Sequence, residues 1–120
     1  MSKFRIQRLD TTVAVVHAAQ AIFNSAATYA ANGTLYAIKS KLAALADASA
    51  TYTVALVDKD GDVIYSKSGL AGAAGTIYTQ LTGDQRAAIA DGTLTIRITF
   101  SANQTVTDNT VTVSLYIDRG

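Results

Sequence analysis

TLTIRITF at residues 93–100 decides the fold class of this chain, and TVTVSLYI at residues 110–117 repeats its pattern. In both segments every second residue is apolar, and Thr, Ser, Arg or Tyr fills the positions between. A period of two places successive side chains on opposite faces of a β-strand, and Thr and branched residues favour strands. The two segments therefore predict β-strands that each bury one face.

Three further strands are predicted upstream of these two. Residues 52–57 and 63–68 are apolar runs separated by Asp58-Lys59-Asp60-Gly61-Asp62. Asp-Gly between two apolar runs is a strong signal for a tight β-hairpin. A calcium loop of the EF-hand type needs a Glu at its twelfth position, and this chain contains no Glu. These residues therefore predict a hairpin, and residues 76–81 predict a further short strand.

A short helix is predicted after that strand. Thr82 and Gln85 have the spacing of a capping box, residues 86–90 favour helix, and Gly92 suits a C-terminal cap. We therefore expect one short helix near residues 83–90.

The first half of the chain leaves strand and helix open. Residues 4–7 alternate between apolar and polar side chains, which predicts an opening strand. Residues 13–50 are rich in alanine, which favours helix. Four apolar residues there also have helical spacing: Leu35, Ile38, Leu42 and Leu45. Asn32-Gly33 is a hairpin-type turn and favours the strand alternative.

Length and composition predict one domain over residues 1–120. The chain is near the commonest domain size, and it has no proline, no linker and no clear internal repeat. We therefore predict a mainly β chain that forms a single-domain antiparallel β-sandwich, Ig-like or jelly-roll-like in architecture.

Charge and hydropathy argue against two classes of partner. The formal net charge is +1 and the charges are dispersed, whereas nucleic-acid-binding domains have a basic stripe. No apolar run approaches the ~20 residues that a membrane-spanning helix needs. Residues 13–21 resemble the apolar part of a signal peptide, but Asp10 and His17 interrupt it, so we expect no signal peptide. We expect no nucleic-acid and no membrane partner.

Neither a catalytic site nor a metal site is predicted. The chain has no Cys and no Glu, and its single histidine, His17, lies in an apolar stretch. Thiolate zinc sites and Cys nucleophiles are therefore excluded, and a Ser-His-Asp triad would have to use His17. Most of the aspartates fall at predicted turns or strand ends, where Asp serves local hydrogen bonding. We expect a chain that is not an enzyme and uses no cofactor.

The tyrosines are the best indicators of an interaction surface. The chain has six tyrosines and no tryptophan, and tyrosine is favoured at protein interfaces. Tyr116 falls on the Thr/Ser face of its strand, so we expect it to be an exposed contact. We also expect the small-residue loop at residues 69–75 to order against a neighbouring molecule. The opening strand supplies four more candidate interface residues: Phe4, Arg5, Ile6 and Arg8.

Three segments of the chain form a recognisable combination: TVALVDKDGDVIYSK at residues 53–67, LTGDQR at residues 81–86, and the strand at residues 93–102. This combination resembles small β-sandwich virion proteins of tailed bacteriophages, of the capsid decoration or neck type. The resemblance implies a virion structural protein, in the first place a capsid decoration or cement protein that binds across shell subunits.

The same resemblance implies where the chain acts and with what. We expect it to be made in the host cytoplasm and located in the virion, with the major capsid protein or other virion proteins as partners. We expect a homo-oligomer on the particle, with residues 3–8 as a candidate arm. Two alternatives remain: a neck, tail or fibre component, and a carbohydrate- or receptor-binding module. The second predicts exposed aromatics clustered beside acids and amides.

Overall fold

A computed structural model describes residues 6–15, 20–25, 28–30, 33–44, 46, 50–80, 87–89, 92–104 and 108–118. These residues form ten strands and no helix. The strands are β1 (Ile6–Val15), β2 (Gln20–Asn24), β3 (Thr28–Ala30), β4 (Gly33–Leu42), β5 (Tyr52–Val57), β6 (Val63–Leu70), β7 (Gly75–Gln80), β8 (Ala87–Ile89), β9 (Gly92–Gln104) and β10 (Asn109–Asp118).

The strands form two sheets, and every observed pair of neighbouring strands is antiparallel. The first sheet has the order β1-β10-β4-β7, and β8 also pairs with β4. The second sheet has the order β2-β9-β5-β6, and β3 also pairs with β9. Alternate residues of both sheets pack into one apolar core, which is the arrangement of a β-sandwich. The predicted mainly β, antiparallel architecture is therefore confirmed.

The strands predicted in the second half of the chain are all present. β5 and β6 form the predicted hairpin around the Asp-rich turn. Asp58 closes this turn, because its Oδ1 accepts hydrogen bonds from the backbone N–H groups of Asp60 and Asp62, each at 2.9 Å. Gly61 has a φ of 88°, a left-handed conformation that glycine adopts without strain. The Asp58 carboxylate therefore has a local structural role in the turn, to which Asp60 and Asp62 contribute backbone N–H groups.

The predicted short helix near residues 83–90 is wrong where the chain is described. Ala87–Ile89 is strand β8, which pairs with Gly33, Thr34 and Leu35 of β4. β7 covers the same edge of β4 only from Ala37 onward, so β8 satisfies backbone groups that would otherwise be unpaired. This pairing outweighs the helix preference of alanine, and residues 83–86 and 90 lie outside the described residues.

The described residues of the first half form strands β1 to β4 and no helix, which decides between the two alternatives there. The helix-like spacing of Leu35, Ile38 and Leu42 has its origin in a β-bulge. Ile117 of β10 pairs with Leu35 and Tyr116 pairs with Ala37, which leaves Tyr36 as the extra residue. The bulge changes the parity of β4 between Leu35 and Ile38, so both reach the core although they are three residues apart, and Leu42 follows Ile38 on the core face by ordinary alternation. Leu45 lies outside the described residues.

Two other sequence interpretations also require correction. β3 and β4 do not form the predicted hairpin, because β3 belongs to the second sheet and β4 to the first, and Asn32 lies outside the described residues. Gly33 is needed for close packing instead, since an added Cβ would lie 2.6 Å from the carbonyl oxygen of Asp118. The candidate arm at residues 3–8 is paired with β10 from Ile6 onward, so residues 6–8 belong to β1, and residues 3–5 lie outside the described residues.

One residue of the small-residue loop packs against the chain itself. Gly72 is buried, and its carbonyl oxygen accepts a 2.7 Å hydrogen bond from the N–H of Ala46. A Cβ on Gly72 would overlap the carbonyl oxygen of Ala50. This intramolecular contact requires glycine at position 72, whereas Ala71, Ala73 and Ala74 are exposed, so ordering of the loop against a neighbouring molecule stays a prediction.

Candidate interaction surface

Three tyrosines meet on the outward face of the first sheet. The ring of Tyr116 on β10 lies 6.3 Å from that of Tyr36 on β4 and 6.1 Å from that of Tyr78 on β7, centre to centre. Both pairs are edge-to-face, a favourable geometry for aromatic rings. Tyr78 is 54% exposed. We call Tyr36, Tyr78 and Tyr116 the tyrosine cluster.

The bulge in β4 brings this cluster together. Tyr36 is the extra residue at the bulge, so it projects beside Tyr116 instead of following the strict alternation of the strand. Ala37, directly opposite Tyr116, is fully buried, and its small side chain leaves room for the rings that cover it. The local irregularity of β4 therefore adds Tyr36 to the pair that Tyr78 and Tyr116 form.

Arg8 lies against the edge of the cluster. Its guanidinium carbon lies 5.7 Å from the centre of the Tyr116 ring, within the range of a cation–π contact. Arg8 Nε donates a 2.9 Å hydrogen bond to Oδ1 of Asp10, and Nη2 donates a 3.5 Å bond to Oγ of Ser114. The strand register brings these four side chains together, because Arg8 pairs with Tyr116 and Asp10 pairs with Ser114.

These contacts hold Asp10 in its ionised form. Hydrogen bonds from Ser114 and from Arg8 lower the pKa of the Asp10 carboxyl below its ordinary value of 3.8. The positive charges of Arg8 and Lys39 act in the same direction. Arg8 and Asp10 are both about half exposed, so the pair is screened by solvent and contributes little to stability.

Two lysines extend the positive charge along β4. Lys39 pairs with Ser114 on one side and with Tyr78 on the other, and Lys41 pairs with Thr112 and Thr76. Neither lysine forms an ion pair within the described part of the chain. The phenolic hydroxyls of the tyrosine cluster also make no hydrogen bond to any described residue. We call the whole patch the Tyr–Arg surface; it consists of Arg8, Tyr36, Lys39, Lys41, Tyr78 and Tyr116.

The outward face of the second sheet has a different character. β9 presents Thr95, Arg97 and Thr99 there. Two large apolar side chains are exposed, Ile22 on β2 and Val63 on β6, on strands at opposite sides of the sheet. Isolated exposed apolar residues are ordinary on protein surfaces. The Tyr–Arg surface is therefore the stronger candidate of the two.

The sequence-predicted interface residues have different outcomes. Arg8 and Tyr116 are in contact, and Tyr116 is half-buried because neighbouring side chains surround it. Ile6 pairs with Asp118 in β1, and its side chain lies outside the described part. Phe4 and Arg5 lie outside the described residues altogether.

Sequence reasoning missed four members of the surface, the lysines Lys39 and Lys41 and two tyrosines. Tyr78 could have been found, because the alternation Thr76, Ile77, Tyr78 assigns Ile77 to the core and Tyr78 to solvent. Tyr36 had no such signal, because its position depends on a bulge that only the pairing with β10 reveals.

Other kinds of site have no counterpart in the described residues. No group of three or more His or Asp side chains there is arranged to hold a metal ion. No helix in that part of the chain has the length and apolar character required to cross a membrane. His17 lies outside the described residues.

The fold resembles those of proteins in solved viral capsids. A chain of the cyanophage Pam1 capsid asymmetric unit is 18% identical with a TM-score of 0.61, and the match covers 98% of this chain and 86% of that one. A chain of the capsid of Helicobacter pylori bacteriophage KHP30 is 10% identical with a TM-score of 0.51, over 96% of this chain and 94% of that one.

A third match is to part of a larger protein. It comes from T=1 particles derived from infectious bursal virus, with 10% identity and a TM-score of 0.51, and covers 95% of this chain but 32% of that one. No protein-family model matches the sequence. No curated protein sequence is similar to it. At these identities the likeness is one of fold: the chain has a β fold like those found in viral capsids.

Proposed function

We propose that this chain is a virion structural protein of a tailed-phage particle, and that it binds the assembled shell as a capsid decoration or cement protein. The observation that carries the proposal is the fold match to the Pam1 capsid chain, which spans nearly the whole of both chains. The match covers 86% of that capsid chain, so a chain of similar length and fold is present in the Pam1 capsid structure. The KHP30 match likewise covers 94% of the matched capsid chain.

The Tyr–Arg surface supplies the means of attachment. Tyrosine and arginine are enriched in the parts of interfaces that contribute most binding energy. Here they project from a rigid sheet, so little conformational freedom is lost when a partner binds. This function requires no catalysis and no cofactor. The partners are the major capsid protein or another virion protein, and the chain acts as one of many copies on the particle.

Symmetry makes modest contacts sufficient. A shell presents the same site many times, and copies that also touch one another bind with an effective local concentration that strengthens each contact. Decoration therefore does not require a large apolar interface on each copy. A homo-oligomer on the particle follows from the same reasoning.

The test is the copy number of this chain relative to the major shell protein in purified particles, measured by quantitative mass spectrometry. We expect a ratio near stoichiometric. A ratio far lower would assign the chain to the neck, tail or fibre. Absence from purified particles would contradict a virion role.

A carbohydrate- or receptor-binding module is the second candidate, and one observation favours it. Arg8 contacts the Tyr116 ring and is hydrogen-bonded to Asp10, so an acid lies one side chain away from the tyrosine cluster, the combination that such a module would show. Binding of the isolated protein to a panel of neutral glycans tests it. Saturable binding that is lost in Tyr78→Ala would favour this candidate over decoration.

A further inference from the structure

We propose that the Tyr–Arg surface docks onto an acidic segment of a partner protein, and that Arg8 receives a carboxylate of that segment. This inference deepens the proposed function and rests on it for the identity of the partner as a virion protein. Neither the charge and hydrogen-bonding capacity of the surface nor the experiment depends on that identity.

Arg8 has N–H donors that no described residue accepts. A guanidinium has five N–H donors, and the described residues accept two hydrogen bonds from it, one from Nε and one from Nη2. The Arg8 side chain is 52% exposed. Its remaining N–H groups form one side of a planar fork, which matches the two oxygens of a carboxylate.

The Arg8 side chain is also held in place before any partner binds. Asp10 and Ser114 fix one side of the guanidinium, and the ring of Tyr116 lies against it. A long side chain that is already oriented loses less rotamer entropy on binding. Asp10 therefore acts as a positioning residue, and the free side of Arg8 is available to a second carboxylate.

The charge of this face selects an anionic partner. Its described cations are Arg8, Lys39 and Lys41, and its described carboxylates are Asp10 and Asp118. Asp10 is already engaged by Arg8 and Ser114, and the two lysines have no ion pair in the described residues. Unpaired cations beside exposed tyrosines attract carboxylates, and the phenolic hydroxyls add neutral donors.

An acidic protein segment matches this pattern better than two other ligands do. A neutral glycan would use the rings but leave the lysines without a role. A nucleic acid needs a longer track of positive charge than three cations, and the whole chain has a net charge of only +1. Both remain outcomes of the test.

The experiment uses the isolated protein labelled with 15N and 13C, and poly-L-glutamate as the probe. We expect chemical-shift changes centred on Arg8 and the tyrosine rings, with binding that weakens strongly between about 20 and about 300 mM NaCl because salt screens exposed charges. Arg8→Gln should weaken binding about tenfold or more, because it removes charge-assisted hydrogen bonds. Arg8→Lys should retain part of the binding.

Lys67→Gln is the matched control, because Lys67 is an exposed cation on β6 of the other sheet. It should bind poly-L-glutamate as the wild type does. Unfolding midpoints of all variants establish that each one is folded. Equal binding by wild type and Arg8→Gln would overturn the proposal, and so would shifts located away from the Tyr–Arg surface or no binding at all.

Two further probes distinguish the competing ligands. Stronger binding of a neutral dextran or of an oligothymidylate at the same surface would overturn the proposal. The inference of an acidic partner and the proposed virion function can each be refuted without the other. A chain absent from particles that still binds poly-L-glutamate through Arg8 would refute the virion role alone, whereas a stoichiometric particle protein without such binding would refute this inference alone.

Discussion

Arg8 on β1 lies directly opposite Tyr116 on β10, and the guanidinium carbon is 5.7 Å from the centre of the ring. Their register is continuous with the buried pair Val13 and Val111 farther along the same two strands. A slip of one residue would turn the apolar face of β1 towards solvent, so core packing fixes the register. The core of the sandwich therefore determines which side chains meet on the outward surface.

Arg8 should contribute to binding and little to folding. We expect Arg8→Gln to leave the urea midpoint of unfolding nearly unchanged, because exposed ion pairs and exposed cation–π contacts contribute little. Urea unfolding followed by circular dichroism measures this. A large fall in the midpoint would mean that the Arg8 contacts are part of the folded core.

Ser40 and Tyr52 should be coupled across the two sheets. Ser40 Oγ and Tyr52 Oη lie 2.9 Å apart, and both residues are buried. Tyr52→Phe or Ser40→Ala alone leaves a buried hydroxyl unpaired, which should cost about 1–3 kcal/mol, whereas the double variant should cost less than the sum. Denaturant unfolding of all four proteins gives the coupling energy.

Tyr65→Phe is the control for that cycle. Tyr65 is half-buried on β6, and no described residue hydrogen-bonds its hydroxyl. We expect a change within about 0.5 kcal/mol. Additive single effects at Ser40 and Tyr52 would show that their hydroxyls do not interact.

Gly72→Ala should destabilise the chain through a backbone clash. The added methyl group would overlap the carbonyl oxygen of Ala50, so the loop or the segment at Ala46 must shift and weaken the hydrogen bond between Ala46 and Gly72. We expect a loss of about 1–3 kcal/mol, as for overpacking in a core. Thermal unfolding provides the measurement.

Gly69→Ala is the matched comparison for Gly72. Gly69 has a φ of 71° and open space where a Cβ would lie, so only backbone strain opposes the substitution. That strain costs about 1–2 kcal/mol. The two variants also differ locally: Gly72→Ala should shift the NMR signals of Ala46 and Ala50, and Gly69→Ala should not. Unchanged signals at Ala50 in Gly72→Ala would contradict the close contact.

Asp10 should give the chain a small stability that depends on pH. Its folded-state pKa is lowered, so its contribution is present above the ordinary carboxyl pKa of 3.8 and is lost as pH falls through the lowered value. Wild type should therefore exceed Asp10→Asn in stability near neutral pH, by less than about 1 kcal/mol because the pair is exposed. The difference should vanish under acid conditions.

Urea unfolding of both proteins from neutral pH to below about pH 3 tests this expectation. A difference that grows on acidification would have the wrong sign. A difference that stays constant across the whole range would show that Asp10 acts through packing and not through its charge.

Local pattern was sufficient to predict the strands of the second half. In β9 and β10 the apolar residues alternate without interruption, so Ile96 and Val113 could be assigned to the core directly. The Asp-Gly turn likewise predicted the β5–β6 hairpin. These features depend on residues close together in the chain, which is why the sequence alone revealed them.

Long-range pairing explains what local pattern did not predict. Ala87–Ile89 pairs with Gly33–Leu35, more than 50 residues away in the sequence. No local sequence pattern indicates that this edge of β4 needs a partner strand. The position of Tyr36 likewise depends on its partner strand β10. Of the six residues of the Tyr–Arg surface, Arg8 and Tyr116 were predicted, and strand alternation also indicates Tyr78. Their arrangement into one surface required the sheet register.

The central claim is that this chain attaches to a capsid through the Tyr–Arg surface. The most direct measurement adds purified protein to particles prepared without it and determines bound copies per shell subunit. Wild type and Lys67→Gln should reach the same high occupancy, and Arg8→Gln and Tyr116→Ala should bind far less while remaining folded. Failure of the wild type to bind such particles, or equal occupancy for all four proteins, would contradict the account.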